Sequence, residues 1–323
     1  MVVIKPLEEQ VAKNRDKYDL LRKIARIVPD RWFLACRYRL RFGAWPNLDN
    51  PSSFNEHMLH LILSRDQEEL RSKIADKLGM RDYVKEVVGP QYLTRIYQRA
   101  KKFDDFNWEA LPERFVLKSN HASRQFLLVD KATADRDKLR EVCDGWLRES
   151  YFYVSREYVY AGIEPELYAE EIMERSDGGL PNDVKAHVFD GKLRFFRINE
   201  NKLGKGYHEI FYDRNWKRLP FMTASYEADE EEMRTQIPHE WGSPELLAEM
   251  TEVAERLGKP LKFIRVDFCD LGDRFVVTEL TNFPAGGNDD YQPRHFDRLL
   301  GRLLVPKEEL SEQEAKELDR LFP

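Results

Sequence analysis

The stretch Arg265–Gly287, RVDFCDLGDRFVVTELTNFPAGG, decides how this chain is read. It reads as two strands joined by a tight turn at Leu271, Gly272 and Asp273, followed by a Pro/Gly-rich loop. In the first strand Phe263, Arg265, Asp267 and Cys269 alternate with Ile264, Val266 and Phe268. In the second, Phe275, Val277, Glu279 and Thr281 alternate with Val276, Thr278 and Leu280. Side chains of a strand alternate between faces. A hairpin loop of odd length sets Asp267 opposite either Glu279 or Val277, and in both registers Arg265, Asp267 and Glu279 share a face. The other face, Ile264, Val266, Phe268, Val276 and Leu280, is apolar and is expected to lie on the core. Two carboxylates side by side on a rigid sheet suit Mg²⁺, which takes one or two carboxylates and keeps its other positions for water and phosphate. An amphipathic hairpin with a solvated acidic face accounts for the same spacing equally well.

Working outward, the chain of 323 residues is long enough for one large or two medium domains. Its formal net charge of −6 argues against a general nucleic-acid binder. The charge is unevenly spread: residues 1–41 hold eleven Lys/Arg against five Asp/Glu. Cys36, Cys143 and Cys269 are far apart and odd in number. They fit a reducing cytoplasm and no zinc or disulfide pattern. The opening MVVIKPLEEQ has no apolar core of signal-peptide length, and no run approaches the ~18 apolar residues of a membrane span.

The pattern predicts helices over 7–27 and 53–88, with Ser53 as a cap and Glu56 three residues on. Asn47–Pro51 is turn-rich and separates a basic helical segment, 1–50, from the rest. Strands are expected at Tyr92–Tyr97, Arg114–Lys118, Gln125–Lys131, Leu167–Met173, Val184–Phe189, Lys192–Ile198 and Tyr207–Tyr212. A helix over 135–150 has Leu139, Cys143, Trp146 and Ser150 on one stripe. Ser243 caps and Pro244 opens another, with Leu246, Met250, Val253 and Leu257 inward and Gly258 at its end. Helices near 293–304 and 309–321 close the chain. The fold class is α+β with mostly antiparallel sheets, not a doubly wound parallel sheet.

Two further constellations carry chemistry. Phe115–Lys118 is a strand ending in the polar loop Ser119-Asn120-His121-Ala122-Ser123-Arg124, and the next strand ends in Lys131. Such a loop can fold backbone N–H groups around phosphates, with Lys118 as a point charge at the strand end. A surface hairpin with a lysine is the plainer reading. Downstream, Leu167–Met173 carries Glu170 and Glu171, and Asp183 and Lys185 are two apart on one strand face. Charged strand edges are also a common guard against edge-to-edge pairing.

Taken in order, these pieces resemble the ATP-grasp superfamily, and in detail its TupA-like branch, associated with teichuronopeptide and other polysaccharide biosynthesis. The segments that carry the resemblance are Phe54-Asn55-Glu56, Ala75-Asp76-Lys77 with Arg81-Asp82-Tyr83-Val84, Leu111–His121, Asp183-Val184-Lys185, Phe189–Lys192, Phe211–Trp216, Arg265-Val266-Asp267 and Glu279-Leu280-Thr281. The resemblance implies two α+β lobes that grasp ATP, over 51–168 and 169–305, with a C-terminal helix at 306–323. It implies that Lys118 and Lys131 contact phosphates, with Asn120, His121, Ser123 and Arg124 in the loop over them. Glu170, Glu171 and Met173 form the hinge, where the backbone of Glu171 and Met173 meets adenine. Lys185 and Arg265 stabilise the reacting phosphoryl. Asp267, Glu279 and Asn282 or Thr281 hold Mg²⁺. Lys77, Arg81 and Arg197 are candidates to hold an acidic substrate, although ordinary surface charge explains them as well.

The implied reaction is an ATP- and Mg²⁺-dependent ligation of a carboxylate, such as a uronic acid of a bacterial surface polysaccharide, to an amine or amino acid through an acyl phosphate. A kinase that stops at phosphoryl transfer, or a nucleotide- or glycan-binding regulator that has lost turnover, is the alternative. Two departures bear on this. The family loop usually reads Asn-His-Gly-Ser-Gly, and here Ala122 and Arg124 stand in the glycine positions. Many ATP-grasp enzymes place an asparagine two residues after the glutamate, and here Thr281 takes that place with Asn282 one later. The segment 31–41, RWFLACRYRLR, interleaves arginines with Trp32, Phe33, Leu34 and Leu40. It is read as a helix packing an aromatic face, with peripheral contact to an anionic membrane or glycan machinery as the alternative.

Overall fold

The structure, a computed structural model, describes residue 23 and residues 27–179, 181–200, 208–223 and 244–323. The helix expected over 7–27, the start of the strand at Tyr207 and the Ser243 cap fall outside the described residues, the helix apart from residues 23 and 27. In chain order the main elements are α1 (Asp30–Phe42), α2 (Phe54–Ser64), α3 (Glu68–Ala75), α4 (Lys77–Val87), β1 (Ile96–Ala100), β2 (Arg114–Ser119), β3 (Phe126–Asp130) and α5 (Arg136–Arg148). They continue with β4 (Leu167–Glu170), β5 (Asn182–Phe189), β6 (Lys192–Glu200), β7 (His208–Asp213), β8 (Met222–Thr223), α6 (Pro244–Gly258), β9 (Phe263–Asp270), β10 (Phe275–Thr281), β11 (Tyr291–Gln292), α7 (His295–Arg302) and α8 (Glu312–Leu321). Every strand pairing described is antiparallel, as the sequence predicts.

The predicted helix over 53–88 is three helices. Its start is as expected: the Ser53 hydroxyl accepts from the Glu56 N–H, and the Glu56 carboxylate reaches back to the Ser53 N–H. Arg65 and Gln67 adopt left-handed backbone (φ 53° and 54°), which ends α2. The Asp76 carboxylate then accepts from the Leu78 N–H and opens α4. The first predicted strand also moves: Pro90–Tyr92 is a 3₁₀ turn, and β1 begins at Ile96.

The chain divides into two compact units, each discontinuous in sequence. One contains residues 1–34, 68–83 and 93–173. Its four-stranded sheet has the order β1-β4-β2-β3. The inward faces of β2 and β3, Phe115, Leu117, Leu127 and Val129, meet Leu139, Val142, Cys143 and Trp146 of α5 in one apolar cluster. The predicted stripe of α5 is thus its buried stripe, Ser150 excepted. Asp135 caps α5 by accepting from the Asp137 and Lys138 N–H groups.

The other unit contains residues 35–67, 84–92 and 174–323. Its five-stranded sheet has the order β10-β9-β5-β6-β7. One face, Val184, Ala186, Val188, Phe196, Ile198, Ile264, Val266 and Phe268, is fully apolar and almost wholly buried. It lies under α6, which buries Leu247, Met250, Val253, Ala254 and Leu257. Burial of such side chains stabilises by about 1.5–3 kcal/mol each for the larger ones. Leu247 takes the inward place expected of Leu246. At the end of α6 a Cβ on Gly258 would sit 2.5 Å from Val188, so only glycine lets the helix end lie this close to the sheet.

The hairpin β9–β10 has the expected strands but not the expected turn. Asp270 pairs with Phe275, Cys269 with Val276 and Phe268 with Val277, which leaves a four-residue loop, Leu271–Arg274. Asp267 then pairs with Glu279, Val266 with Leu280 and Arg265 with Thr281, so Thr278 is an extra residue in β10. Asp267 and Glu279 are therefore opposite, as one predicted register has it. The phase changes at the bulge, however. Val277 and Phe275 line up with the apolar face, and Val276 pairs with Cys269 on the charged one.

Candidate active site

The second face of the five-stranded sheet carries the chemistry. The register lines up Glu279, Asp267, Lys185, Arg197 and Phe211 in one row across all five strands. The row on one side of it holds Thr281, Arg265, His187 and Phe195. The row on the other holds Cys269, Asp183, Asn199 and Glu209. Along each strand the character shifts from charged to aromatic: Asp183, Lys185, His187, Phe189 on β5, and Asp267, Arg265, Phe263 on β9. His187 stacks on Phe195 at 4.1 Å between centroids. Phe54, from the N-terminus of α2, packs on Phe263 and Phe189 at 5.0 and 5.8 Å. The charged rows thus end against a wall of rings.

Asp267 is the centre of this face and is buried. Its Oδ1 accepts from Arg265 Nε (2.6 Å), and its Oδ2 accepts from Arg265 Nη2 (2.7 Å) and Lys185 Nζ (3.0 Å). Burial works against its charge, but Arg265 and Lys185 hold its pKa below the ordinary carboxylate value. Burial alone would lower the pKa of Arg265; Asp267, with Glu279 and Asp289, raises it. His187 is pushed well below its ordinary value by burial and by the nearby Arg265 and Arg197, so it is neutral. Lys185 also donates to Asp183 (2.9 Å), and Asn199 donates to Asp183 (3.2 Å). Arg265 Nη2 donates to the Thr281 hydroxyl (2.9 Å).

Glu279 differs from all of these: its carboxylate makes no hydrogen bond or ion pair to a described residue. An ionised carboxylate offers about four lone-pair sites. Three of those on Asp267 are taken, which leaves one on Oδ1. Among the described residues no three His, Cys, Asp or Glu side chains form a metal-binding group. The donor set, one free carboxylate beside one with a single open site, fits a hard cation that takes only one or two carboxylates, as Mg²⁺ does with nucleotides. Asn282 is buried and directly follows Thr281, the last residue of β10. Arg197 is ion-paired with Glu209, whose other oxygen accepts from the Thr223 N–H and hydroxyl. Glu209 and Asn199 were missed in the sequence. Alternation along β6 from Arg197 points to Asn199, and pairing of β6 with β7 is the signal for Glu209.

The second constellation lies in the other unit. Lys118, near the end of β2, places Nζ 2.5 Å from Glu170 Oε2. The other oxygen of Glu170 accepts from Arg81 (2.9 Å) and from the Thr94 hydroxyl. Arg81 also donates to the Thr94 hydroxyl and carbonyl. Burial opposes the charge of Glu170, and Lys118 with Thr94 and Arg81 brings its pKa below the ordinary value. The Glu170 side chain, expected at a nucleotide, is therefore an internal counter-ion. The Glu171 N–H donates to the Arg95 carbonyl (3.0 Å). Met173 lies in irregular chain three residues past β4.

Several residues expected at phosphates make hydrogen bonds within the protein. The Asn120 side chain donates to Asp76 (2.9 Å) and to the Glu164 carbonyl (3.0 Å) and accepts from the Glu166 N–H (2.8 Å). Its backbone bonds Glu166 and Lys77. This explains why Asp76-Lys77 and Asn120 occur together. His121 is buried between the Asn120 side chain and the Trp146 carbonyl, and burial lowers its pKa. Lys131 is not beside Lys118. The hairpin reverses direction, so Lys118 pairs with Phe126, whereas Lys131 lies beyond Asp130, the partner of Arg114. Four residue steps separate the pairs, about 13 Å. Lys131 instead donates to the Leu111 carbonyl (2.9 Å). Lys77 donates to the Ala122 carbonyl. Ser123 and Arg124 are exposed at the loop tip. Arg124 adopts φ +63°, so the arginine keeps the left-handed backbone that glycine favours, while Ala122 has no such need.

The model of the TupA-like ATP-grasp family matches residues 56–305. No curated protein matches the chain. Among solved structures it is similar to the ATP-grasp ligase PsnB complexed with a minimal precursor, Mg and ADP, at 13% identity and a TM-score of 0.37 over 70% of this chain and 58% of that one. It is similar to the D-alanine–D-alanine ligase of Bacillus anthracis at 14% identity and a TM-score of 0.39, over 76% of this chain and 69% of that one. For the ADP complex of PurK, an N5-carboxyaminoimidazole ribonucleotide synthetase, the values are 13% and 0.42 over 70% and 51%. The chain therefore spans little more than half the length of PsnB and of PurK. With the family match running through Asn120, Glu170, Lys185, Asp267 and Glu279, the chain belongs to the TupA-like ATP-grasp family.

Proposed function

We propose that this protein is an ATP-dependent ligase that joins a carboxylate to an amine through an acyl phosphate, with a uronic acid of a surface polysaccharide or its precursor as the acid. The observation that carries the reading is the pair Asp267 and Glu279, opposite each other with Arg265 and Lys185 against Asp267. Family membership supports ATP as the phosphoryl donor. Asp267 and Glu279 hold Mg²⁺, which when bound neutralises charge on the nucleotide phosphates. Arg265 and Lys185 are fixed cations on the same face, and such preorganised charge is the main means of accelerating phosphoryl transfer. Lys118 is a cation at the end of β2 for a phosphate, and the Glu171 carbonyl with the Met173 N–H serves adenine. Arg197, with Lys77 and Arg81, is the candidate for the acid substrate, each of them already partnered within the protein. Asn120, His121 and Lys131 are hydrogen-bonded within the protein and steady the loop and the strands that present Lys118. Among the described residues no helix is long and apolar enough to cross a membrane. The basic-aromatic helix α1 is the place to test peripheral attachment.

The test is an ADP-release screen over uronic-acid sugars crossed with amino acids, preceded by a thermal-shift titration with Mg²⁺·ATP. Nucleotide at about 100 Kd adds ~2.7 kcal/mol of stability. No shift at any concentration sinks the reading. Release of ADP without a need for the amine turns it into a kinase.

A further inference from the structure

The loop of the β9–β10 hairpin has four residues, and its first three pairs continue without interruption to Phe268 and Val277. An unbroken ladder would set Asp267 opposite Thr278 and Val266 opposite Glu279. Glu279 would then point into the apolar face under α6, and Leu280 would stand among the charges, because a slip of one residue turns every side chain over. The observed pairing avoids this through one extra residue, Thr278. Its hydroxyl donates to the Asp267 carbonyl at 3.0 Å. The residue that absorbs the phase change is thus tied to the residue on which the site is centred. Bulges bend a strand locally and re-aim the side chains that follow.

We propose that Thr278 is a positioning residue for the cation site: its hydroxyl holds the bulge in which Glu279 faces Asp267. The proposal rests on the reading of Asp267 and Glu279 as the metal-holding pair, and it adds to that pair a residue that touches no ligand. Neither composition nor periodicity singles out Thr278, which occupies an ordinary strand position in the sequence. A β-branched residue suits the extended backbone, and a hydroxyl is the smallest group that can pin a bulge to the neighbouring strand. Valine keeps the shape and removes the bond, and serine keeps the bond and removes the methyl group.

Binding of Mn²⁺, as a probe for Mg²⁺, is followed by electron paramagnetic resonance in the presence of ADP, with metal-free ADP binding measured alongside. Thr278→Val is expected to weaken Mn²⁺ binding tenfold or more with metal-free ADP binding unchanged, and Thr278→Ser to bind Mn²⁺ like the parent protein. A folded Thr278→Val variant with parental Mn²⁺ affinity overturns the role of Thr278 and leaves the metal reading standing. A parent protein that takes up no Mn²⁺ overturns the metal reading and the proposal with it. If Thr278→Val does not fold, Thr278→Ala removes the same hydroxyl with less bulk and is judged by the same two outcomes.

Discussion

Each unit of the molecule contains a buried carboxylate held by two cations, and the two sites differ in one respect. Glu170 accepts from Lys118, Arg81 and Thr94, and Asp267 accepts from Arg265 and Lys185. Both carboxyls are held below their ordinary pKa by those partners against the effect of burial. At Glu170 the pattern closes on itself, since Thr94 and Arg81 also bond each other. At Asp267 a second carboxylate, Glu279, stands directly opposite and makes no hydrogen bond to a described residue. A carboxylate matched by cations fixes a fold. The same arrangement with one unmatched carboxylate leaves a place for a further positive charge.

The largest effect expected from breaking this comparison is at Glu170. Glu170→Ala leaves Lys118 and Arg81 without their counter-ion in a largely buried setting, which costs about 3–5 kcal/mol. Denaturant unfolding measures it, and an unchanged midpoint refutes the assignment of Glu170 as structural.

A third carboxylate, half-buried, sharpens the point, because its hydrogen bonds from described residues come from neutral groups. Asp297 on α7 accepts from the Asn55 N–H and side chain, both at 3.0 Å, and burial pushes its pKa up from 3.8 to about 6. A carboxyl with a raised folded pKa gives stability that is lost as pH rises through the window from 3.8 to 6, about 3 kcal/mol at most. Burial, with His60 beside it, pushes His57 on α2 down from 6.5 to about 4, and its contribution is lost as pH falls through that window. The two slopes oppose each other. Asp297→Asn should therefore unmask a stability that declines from pH 6.5 to 4, read from thermal melts across that range. A variant as flat as the parent protein refutes the raised pKa.

At Glu279 the effect moves from stability to chemistry. Glu279→Gln should leave the unfolding midpoint within about 0.5 kcal/mol and reduce ATP turnover by about 100-fold, ~2.7 kcal/mol of transition-state stabilisation. A large stability loss with activity intact would reverse the contrast with Glu170. The smallest effect is at the loop tip. Arg124→Gly relieves the left-handed backbone at φ +63° and should stabilise by about 1 kcal/mol. A destabilised variant shows that the Arg124 side chain makes a contact of greater worth.

Much of this was legible in the sequence. Strand alternation alone put Arg265, Asp267 and Glu279 on one face, and the Ser53–Glu56 spacing located the start of α2. The turn was misjudged because the bulge at Thr278 leaves no trace in the hydrophobic pattern, and it moved Val276 and Val277 to exchanged faces. The place of β5 between β9 and β6 is a long-range pairing that no local signal encodes, yet it brings Lys185 to Asp267. The hydrogen-bond partners of Asn120, His121 and Lys131 are not legible, because sequence order shows that polar residues are near a loop but not which way they turn. The structure turns Asn120 and His121 inward, to Asp76 and the Trp146 carbonyl.

The passage from charged to aromatic residues along β5 and β9 has a consequence for field strength. Water around an ion weakens its field by a factor near 80, and packed protein weakens it several times less. On this face Lys185 and Arg265 have polar neighbours on one side; on the other, Phe263 stands two residues from Arg265 and Phe189 four residues from Lys185. Rings cannot reorient to oppose a charge as water does, so the field of the two cations is not quenched in that direction. The aromatic wall, which contributes no hydrogen bond to the site, makes each of its charges count for more.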